Sequence, residues 1–510
     1  MAAFVISNLV GLVRQILVAN AFGTQADIEA FNAANRVSET LFNLVAGGAL
    51  ASAFIPSFTA LLARGDRQRA WRLAAHLANL VLLVLAALSL LAAFLAPQIV
   101  RWLLAPGFAA DPQKEALTVQ LLRLMLPSAA IFALSGLVMG ILNSHQKFFL
   151  PALAPAMYQV GLIIGVTLFS PSLGIAGLAW GVLLGASLHL LVQAPQLLRL
   201  GGQYTPGLGL GSEDLREVAR LMLPRLLGVA VVQLNFWVNV RLASRFPEGS
   251  VTGLVLAFSL MLMPQAAIAQ SIAIAALPTF SAQAALNRTG EMRSALSTSL
   301  RWALMLSIPA SVGVILLRQP LVAMLYQRGE FTARSTQLVA WALLWYTAGL
   351  VGHALVEILS RAFYSLHDTK TPVMVGVAAM LLNVVFSYLF SFVFIRAGWA
   401  PHGGLALANT TATALEAVVL LGLMRGRLFG LEGRNILSGV LQSLAASLAM
   451  GAALAFWLAL TPEAPVWLVS LGGVVIGGLV FGLAGLALGL PELRTLRLLL
   501  PAAARRLARR

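Results

Sequence analysis

Arg14 lies in the middle of an apolar run, in Gly11-Leu12-Val13-Arg14-Gln15, too far from either end of that run for easy snorkelling. A charge at bilayer depth costs at least about 2.5 kcal/mol, so such a group needs a partner, a wet cavity or a route to the interface. Arg14 is therefore a candidate cationic binding group, the alternative being a structural pairing with Glu29 or Glu39. Arg36 and Glu39 are three residues apart, which puts them on one helical face where they can pair with each other or serve a ligand. Glu357 and Arg361, four apart, read as a structural pair of the same kind. Arg241 precedes Arg245 by four residues near the end of an apolar run, so cavity binding competes with snorkelling there.

A second set of polar residues suits ion coupling. Glu416 and His189 fall at matching places in two related segments, and Glu416 has no sequence neighbour of opposite charge. An unpaired carboxylate inside a membrane is a natural place for a coupling proton. Asn239, Asn383, Ser387 and Thr410 offer oxygens to a small cation such as Na+ if their helices converge. Amides and hydroxyls also hold helices together, which is the competing reading. Catalysis has little support: the 6 histidines are scattered, no metal-ligand spacing or Walker loop occurs, and there is no cysteine. The expectation is no catalytic residue, no metal and no cofactor, with energy drawn from H+ or Na+ coupling, the membrane potential or the substrate's own gradient.

The elements that position these residues follow from composition. The 510 residues are 59% hydrophobic and 10% charged, against about 25% charged in soluble domains. Apolar runs long enough to cross roughly 30 Å of hydrocarbon predict fourteen helices, the clearest at 73–94, 117–142, 173–194, 251–277, 373–395, 437–460 and 466–488. Continuous runs, rather than alternating segments of about ten residues, exclude an outer-membrane barrel. The first run lacks a basic leader region and carries Arg14, so it reads as a spanning helix and not a cleaved signal.

The net charge of +16 is distributed as membrane topology requires, so it does not point to nucleic acid. Basic residues follow the even-numbered spans: Arg64, Arg67, Arg69 and Arg72 after the second, Lys147 after the fourth, Arg216 and Arg220 after the sixth, Arg288 and Arg293 after the eighth, Lys370 after the tenth. Arg425, Arg427 and Arg434 follow the twelfth, and a basic stretch from Arg494 to Arg510 follows the last. Both termini are therefore predicted to be cytoplasmic. Arg318, Arg328 and Arg334, after the ninth span, are the exception.

The chain also repeats itself. Ala53-Phe54-Ile55-Pro56-Ser57-Phe58 returns as Ala275-Ala276-Leu277-Pro278-Thr279-Phe280, about 222 residues on, and Gly107-Phe108 is answered by Gly329-Glu330-Phe331. Six spans per repeat is an even number, so the copies share one orientation and relate by an axis along the membrane normal. The expected class is an all-α polytopic membrane protein with about fourteen transmembrane helices, in two pseudo-symmetric six-helix lobes plus two C-terminal helices. Residues 1–200 form the first lobe, 201–216 a flexible cytoplasmic linker rich in Gly and Pro, and 217–430 the second lobe. Residues 431–490 form the two extra helices and 491–510 a basic tail suited to anionic membrane lipid.

Several motifs carry a family resemblance. Gly11-Leu12-Val13-Arg14, Ala46-Gly47-Gly48-Ala49-Leu50 running to Ala53-Phe54-Ile55-Pro56, Ala105-Pro106-Gly107-Phe108, Gly140-Ile141-Leu142-Asn143 and Gly329-Glu330-Phe331-Thr332 are among them. With Phe363-Tyr364-Ser365-Leu366-His367-Asp368-Thr369-Lys370-Thr371-Pro372, they resemble the MurJ (MviN) lipid II flippases. The resemblance implies a MATE-like fold of the MOP superfamily in the bacterial inner membrane, with a cationic cavity between lobes and a groove formed with the two extra helices. It implies that the partner is lipid II, an undecaprenyl pyrophosphate bearing a disaccharide pentapeptide, moved between leaflets for peptidoglycan synthesis. Arginine suits pyrophosphate. By the same resemblance Arg14 and Arg36 would bind the substrate, with Glu29 the family's acidic residue before the second helix and Arg241 a weaker third cation. Departures from the family pattern fall at Asn8, Gln15, Phe42, Asn43, Asn239, Leu262 and in Ala257-Phe258-Ser259-Leu260, where an arginine is usual. They make the cavity poorer in charge. A flippase for another polyprenyl-linked glycan, a MATE-type drug exporter and a non-transporting scaffold are the alternatives.

Overall fold

The computed structural model describes residues 2–45 and 49–493. The glycine motif at 46–48 and the basic tail from Arg494 to Arg510 lie outside the described residues. No strand occurs among the described residues, as continuous apolar runs demand.

The helices of the first half are α1 (Ala2–Phe22), α2 (Ala26–Val45), α3 (Ala49–Ala63), α4 (Arg67–Phe94), α5 (Pro112–Met125), α6 (Pro127–Ser144), α7 (Phe149–Ile164), α8 (Ile175–Leu191) and α9 (Glu213–Ala243). Those that follow are α10 (Ser250–Gln265), α11 (Ser271–Ala285), α12 (Thr289–Tyr326), α13 (Ala333–Ala348), α14 (Leu350–Ser365), α15 (Lys370–Arg396), α16 (His402–Arg427), α17 (Gly433–Leu460) and α18 (Val466–Ala487). Several are halves of one span. α5 and α6 together form Pro112–Ser144, α10 and α11 form Ser250–Ala285, and α13 and α14 are bent by 46° about Gly349. Among the described residues ten helices are long and apolar enough to cross a bilayer, eleven with the bent pair. The shorter apolar helices Ile6–Phe22, Ala53–Ala63 and Val229–Ala243 make the set compatible with fourteen predicted spans.

Local chemistry sets the ends. Asp111 caps α5, its carboxylate accepting from the backbone N–H groups of Gln113 and Lys114 at 3.0 and 3.2 Å, with Pro112 in the first turn where its missing N–H costs nothing. Left-handed residues close helices at equivalent points of the two repeats: Gly65 and Asn287 after α3 and α11, Gln146 and His367 after α6 and α14.

The described chain divides into two compact units. One runs to Thr252 and takes in Arg328–Thr332; the other comprises Gly253–Gln327 and the residues from Ala333 onward. In the first, Phe58 is wholly buried among Leu73 and Leu77 of α4 and Leu137 and Ile141 of α6. In the second its repeat counterpart, Phe280, is wholly buried among Leu296 and Leu300 of α12 and Leu359 and Phe363 of α14. The repeat seen in the sequence is thus a repeat in packing. α9 belongs to the first unit, packed on α2 and α3. In the second unit α17 and α18 pack on α12 through Met305, Leu317, Met450 and Phe481, and Arg301 is paired with Glu492 at 2.7 Å.

Residues 201–211 lack regular structure but are tied to α4: Tyr204 donates to Asn79 Oδ1 at 2.9 Å, and Asn79 donates to the Gly207 carbonyl at 2.8 Å. Arg67 also donates to the Leu200 carbonyl.

Candidate functional site

Glycines draw α7 and α8 into backbone contact. A Cβ built on Gly161 would lie 2.2 Å from Gly185 Cα, and one on Gly165 would lie 2.7 Å from Gly181 Cα. Small residues four apart let helices approach this closely within a membrane. The contact sets Tyr158 and Gln159 of α7 beside His189 of α8, and with Asn35, Ser38, Glu39 and Asn43 of α2 and Phe132 of α6 they line a cavity of about 350 Å³.

Arg36 and Glu39 pair at 2.7 Å, the i,i+3 contact that their spacing predicts. Asn35 donates to the other carboxylate oxygen of Glu39 at 2.8 Å, and the Arg36 guanidinium lies over the Phe236 ring of α9, 4.9 Å from its centroid. Trp237 donates to Thr40 Oγ1 at 2.8 Å and fastens α9 to this face of α2. Arg14, on α1, is half-buried, and a Cβ built on Gly11 of the same helix would lie 3.7 Å from Gln159 Nε2 of α7. The Nε atoms of Arg14 and Arg36 are buried with no hydrogen-bond partner among the described residues.

Glu29 does not pair with Arg14. It is 2% exposed, held by Lys114 Nζ at 2.6 Å, and it accepts from the Val251 backbone N–H at 2.8 Å. Lys114 also sits over the Phe108 ring, 4.2 Å from its centroid. Arg241 donates to the carbonyls of Trp102 and Leu103, at the end of a wide helical turn (Ile99–Leu104). Glu357 and Arg361 pair at 2.8 Å.

The ion-coupling candidates have separate surroundings. In the first unit Asn239 donates to Asn235 Oδ1 at 3.3 Å, and its own Oδ1 is buried without a partner. In the second, Ser387 donates to Asn383 Oδ1 at 3.1 Å, whereas Thr410 donates to the Trp345 carbonyl at 2.6 Å. Glu416 is half-buried on α16 where α15 carries Gly376; a Cβ there would lie 3.3 Å from Glu416 Oε1. No cluster of His, Cys, Asp and Glu able to hold a metal occurs among the described residues.

Sequence reasoning missed Lys114 as the partner of Glu29. It also missed a buried network in which Ser135 Oγ meets His189 Nδ1 at 2.6 Å and accepts from Gln193 at 2.8 Å. Helical spacing carries no sign of partners 85 and 54 residues apart. The Phe42 side chain, at one departure from the family pattern, lies outside the described set, whereas Asn43, at another, lines the cavity.

The family model described as "Lipid II flippase MurJ" matches residues 18–471. The chain belongs to the MurJ family. Among its relatives, the lipid II flippase MurJ of Burkholderia cenocepacia is 30% identical over 429 residues, covering 82% of this chain and 81% of that protein. The probable lipid II flippase MurJ of Vibrio cholerae is 31% identical over 428 residues, covering 82% of this chain and 80% of that protein. In fold, the chain is similar to the solved structure titled "Lipid II flippase MurJ, inward closed conformation", with a TM-score of 0.81 at 24% identity over 97% of this chain and 98% of that one. An inward-facing MATE-family multidrug transporter of the MOP superfamily matches with a TM-score of 0.67 at 18% identity, over 83% of this chain and 94% of that one. The MATE-like fold expected of a MurJ family member is therefore present, and the apolar spans make the chain a multi-pass protein of the bacterial inner membrane.

Proposed function

We propose that this chain is a lipid II flippase, a transporter and not an enzyme. It moves the undecaprenyl-pyrophosphate-linked precursor of peptidoglycan from the inner to the outer leaflet by alternating access. The observation that carries the reading is the state of Arg14 and Arg36: two guanidinium groups of a MurJ family chain, one in an apolar helix and one in an amphipathic helix, each with a buried Nε that no described residue satisfies. A buried donor left without a partner costs about 1–3 kcal/mol, and a pyrophosphate oxygen is the acceptor that a guanidinium fork fits. Glu39 offsets part of the Arg36 charge, so the site carries positive charge without a fully exposed cation.

Glu29 supports this site from a distance by fixing the start of α2 to Lys114 and to Val251. Arg241, held by two carbonyls, is the weaker third cation. Both termini are cytoplasmic, following the basic even-numbered exits. Coupling to H+ would use Glu416, whose carboxylate has no oppositely charged neighbour in sequence. Coupling to Na+ would use Asn239, Asn383, Ser387 and Thr410, and the membrane potential is the remaining source of energy. The substrate is bounded by the membrane lipid environment, with no nucleic acid involved.

Reconstitution tests the proposal. Vesicles holding the purified chain and lipid II in one leaflet should expose that lipid to the other leaflet, and Arg14→Ala or Arg36→Ala should slow exposure at least about tenfold. Exposure of a different polyprenyl-linked glycan, with lipid II left in place, would reassign the substrate.

A further inference from the structure

We propose that the cavity walled by α2, α6, α7 and α8 is a subsite for a sugar ring of the substrate's headgroup, recognising neutral hydroxyl and acetamide groups and not the pyrophosphate. This rests on the flippase reading above and adds to it where the headgroup is read.

Two unsatisfied atoms point to a ligand. Ser38 lines the cavity, is 4% exposed, and its Oγ has no partner among the described residues. Gln159 lines it too, and its Oε1 is buried and equally unpartnered. Buried polar atoms are satisfied in nearly all native structures, so two unpartnered oxygens on residues that line one cavity call for an occupant. Several other polar groups around the cavity are engaged already, while Asn43, Tyr158 and the amide N–H group of Gln159 complete its polar lining. Asn35 and Arg36 hold Glu39, His189 is bonded to Ser135 at 2.6 Å, and Ser128 donates to the Met125 carbonyl at 2.6 Å.

The lining therefore offers donors, from the amides of Asn43 and Gln159 and the Tyr158 hydroxyl, together with the Ser38 and Gln159 oxygens, which need a donor from the ligand. An ionised pyrophosphate has acceptors only and would leave Gln159 Oε1 unsatisfied. Sugar hydroxyls and an acetamide N–H supply the missing donors. The rings of Phe132 and Tyr158, edge to face with centroids 5.0 Å apart, give the apolar wall that a pyranose C–H face needs. A volume of about 350 Å³ is at the small end of ligand pockets, about 300–1,000 Å³, enough for one ring and too small for the whole headgroup. Glu39 lines the cavity and pairs with Arg36 at 2.7 Å, so the cavity adjoins the proposed anion site as a sugar adjoins its pyrophosphate.

The test compares two ligands on the purified full chain: lipid II, and undecaprenyl pyrophosphate, which has no sugar. Gln159→Leu and Ser38→Ala should each weaken lipid II binding about three- to tenfold and leave undecaprenyl pyrophosphate binding unchanged. Arg14→Ala should weaken both. If Gln159→Leu does not fold, Ser38→Ala, which removes one oxygen, carries the comparison. Equal effects of these variants on the two lipids, or no effect on either, would overturn the subsite while leaving the flippase reading intact. A wild-type chain that binds neither lipid would overturn the flippase reading and the subsite with it.

Discussion

Gly107 and Gly329 stand about 222 residues apart, and each docks on the end of the helix that opens the other repeat. A Cβ on Gly107 would fall 2.1 Å from the carbonyl oxygen of Ser244, just after α9; one on Gly329 would fall 2.4 Å from that of Asn20, in the last turn of α1. The adjoining Phe108 and Phe331 are both buried. The two loops therefore make reciprocal contacts that a single repeat alone does not provide.

Neither position tolerates a side chain. Gly329 also has a φ of +58, where an L-residue is strained. Gly107→Ala and Gly329→Ala should each lower stability by more than about 1 kcal/mol. Gly290→Ala, with nothing within 4 Å of the new methyl, should not. Thermal unfolding in detergent measures the difference, and a Tm for Gly329→Ala equal to wild type would refute the close docking.

Among the described residues of the first unit, Glu29 and Lys114 form the most enclosed ion pair, with side chains 3% and 10% exposed. Removing one partner of a buried pair costs about 3–5 kcal/mol, because the other charge is stranded. Lys114→Met should therefore reduce folded yield sharply, and the double variant Glu29→Gln with Lys114→Met should recover much of it. A Glu29→Gln protein as stable as wild type but unable to bind lipid II would instead make Glu29 a direct ligand.

Asp368 precedes α15, and its carboxylate accepts from the Thr371 N–H at 3.0 Å, the Thr371 hydroxyl at 2.8 Å and Arg427 at 2.8 Å. The Thr371 backbone and hydroxyl bonds, with Arg427 adding a smaller share, hold its pKa below the ordinary carboxylate value. A depressed pKa contributes stability that is present above the unfolded-state value and lost as pH falls through the folded-state value. Asp368→Asn should cost about 0.5–2 kcal/mol at neutral pH and should flatten the loss of Tm on acidification below about pH 4. An unchanged acid limb would show that other groups control it.

Much of this architecture is legible in the sequence because it is local or repeated. The Arg36–Glu39 and Glu357–Arg361 pairs follow from helical spacing, and the buried Phe58 and Phe280 follow from the repeat. What stays hidden depends on which helices touch. Arg241 reads as a snorkelling cation but bonds to carbonyls some 138 residues away. The hydrogen bonds that Asn79 of α4 makes with Tyr204 and the Gly207 carbonyl likewise carry no sign in the sequence. Gly161 and Gly185 bring α7 and α8 into contact beside the cavity, and neither glycine stands out among the 44 in the chain.

The most direct test of the central claim is complementation in bacteria depleted of their own lipid II flippase, with the wild-type chain, Arg14→Ala and Arg36→Ala expressed to equal levels in the membrane. The account predicts growth with the wild type and lysis with either variant. Growth with both variants, or lysis with a well-expressed wild type, would contradict it.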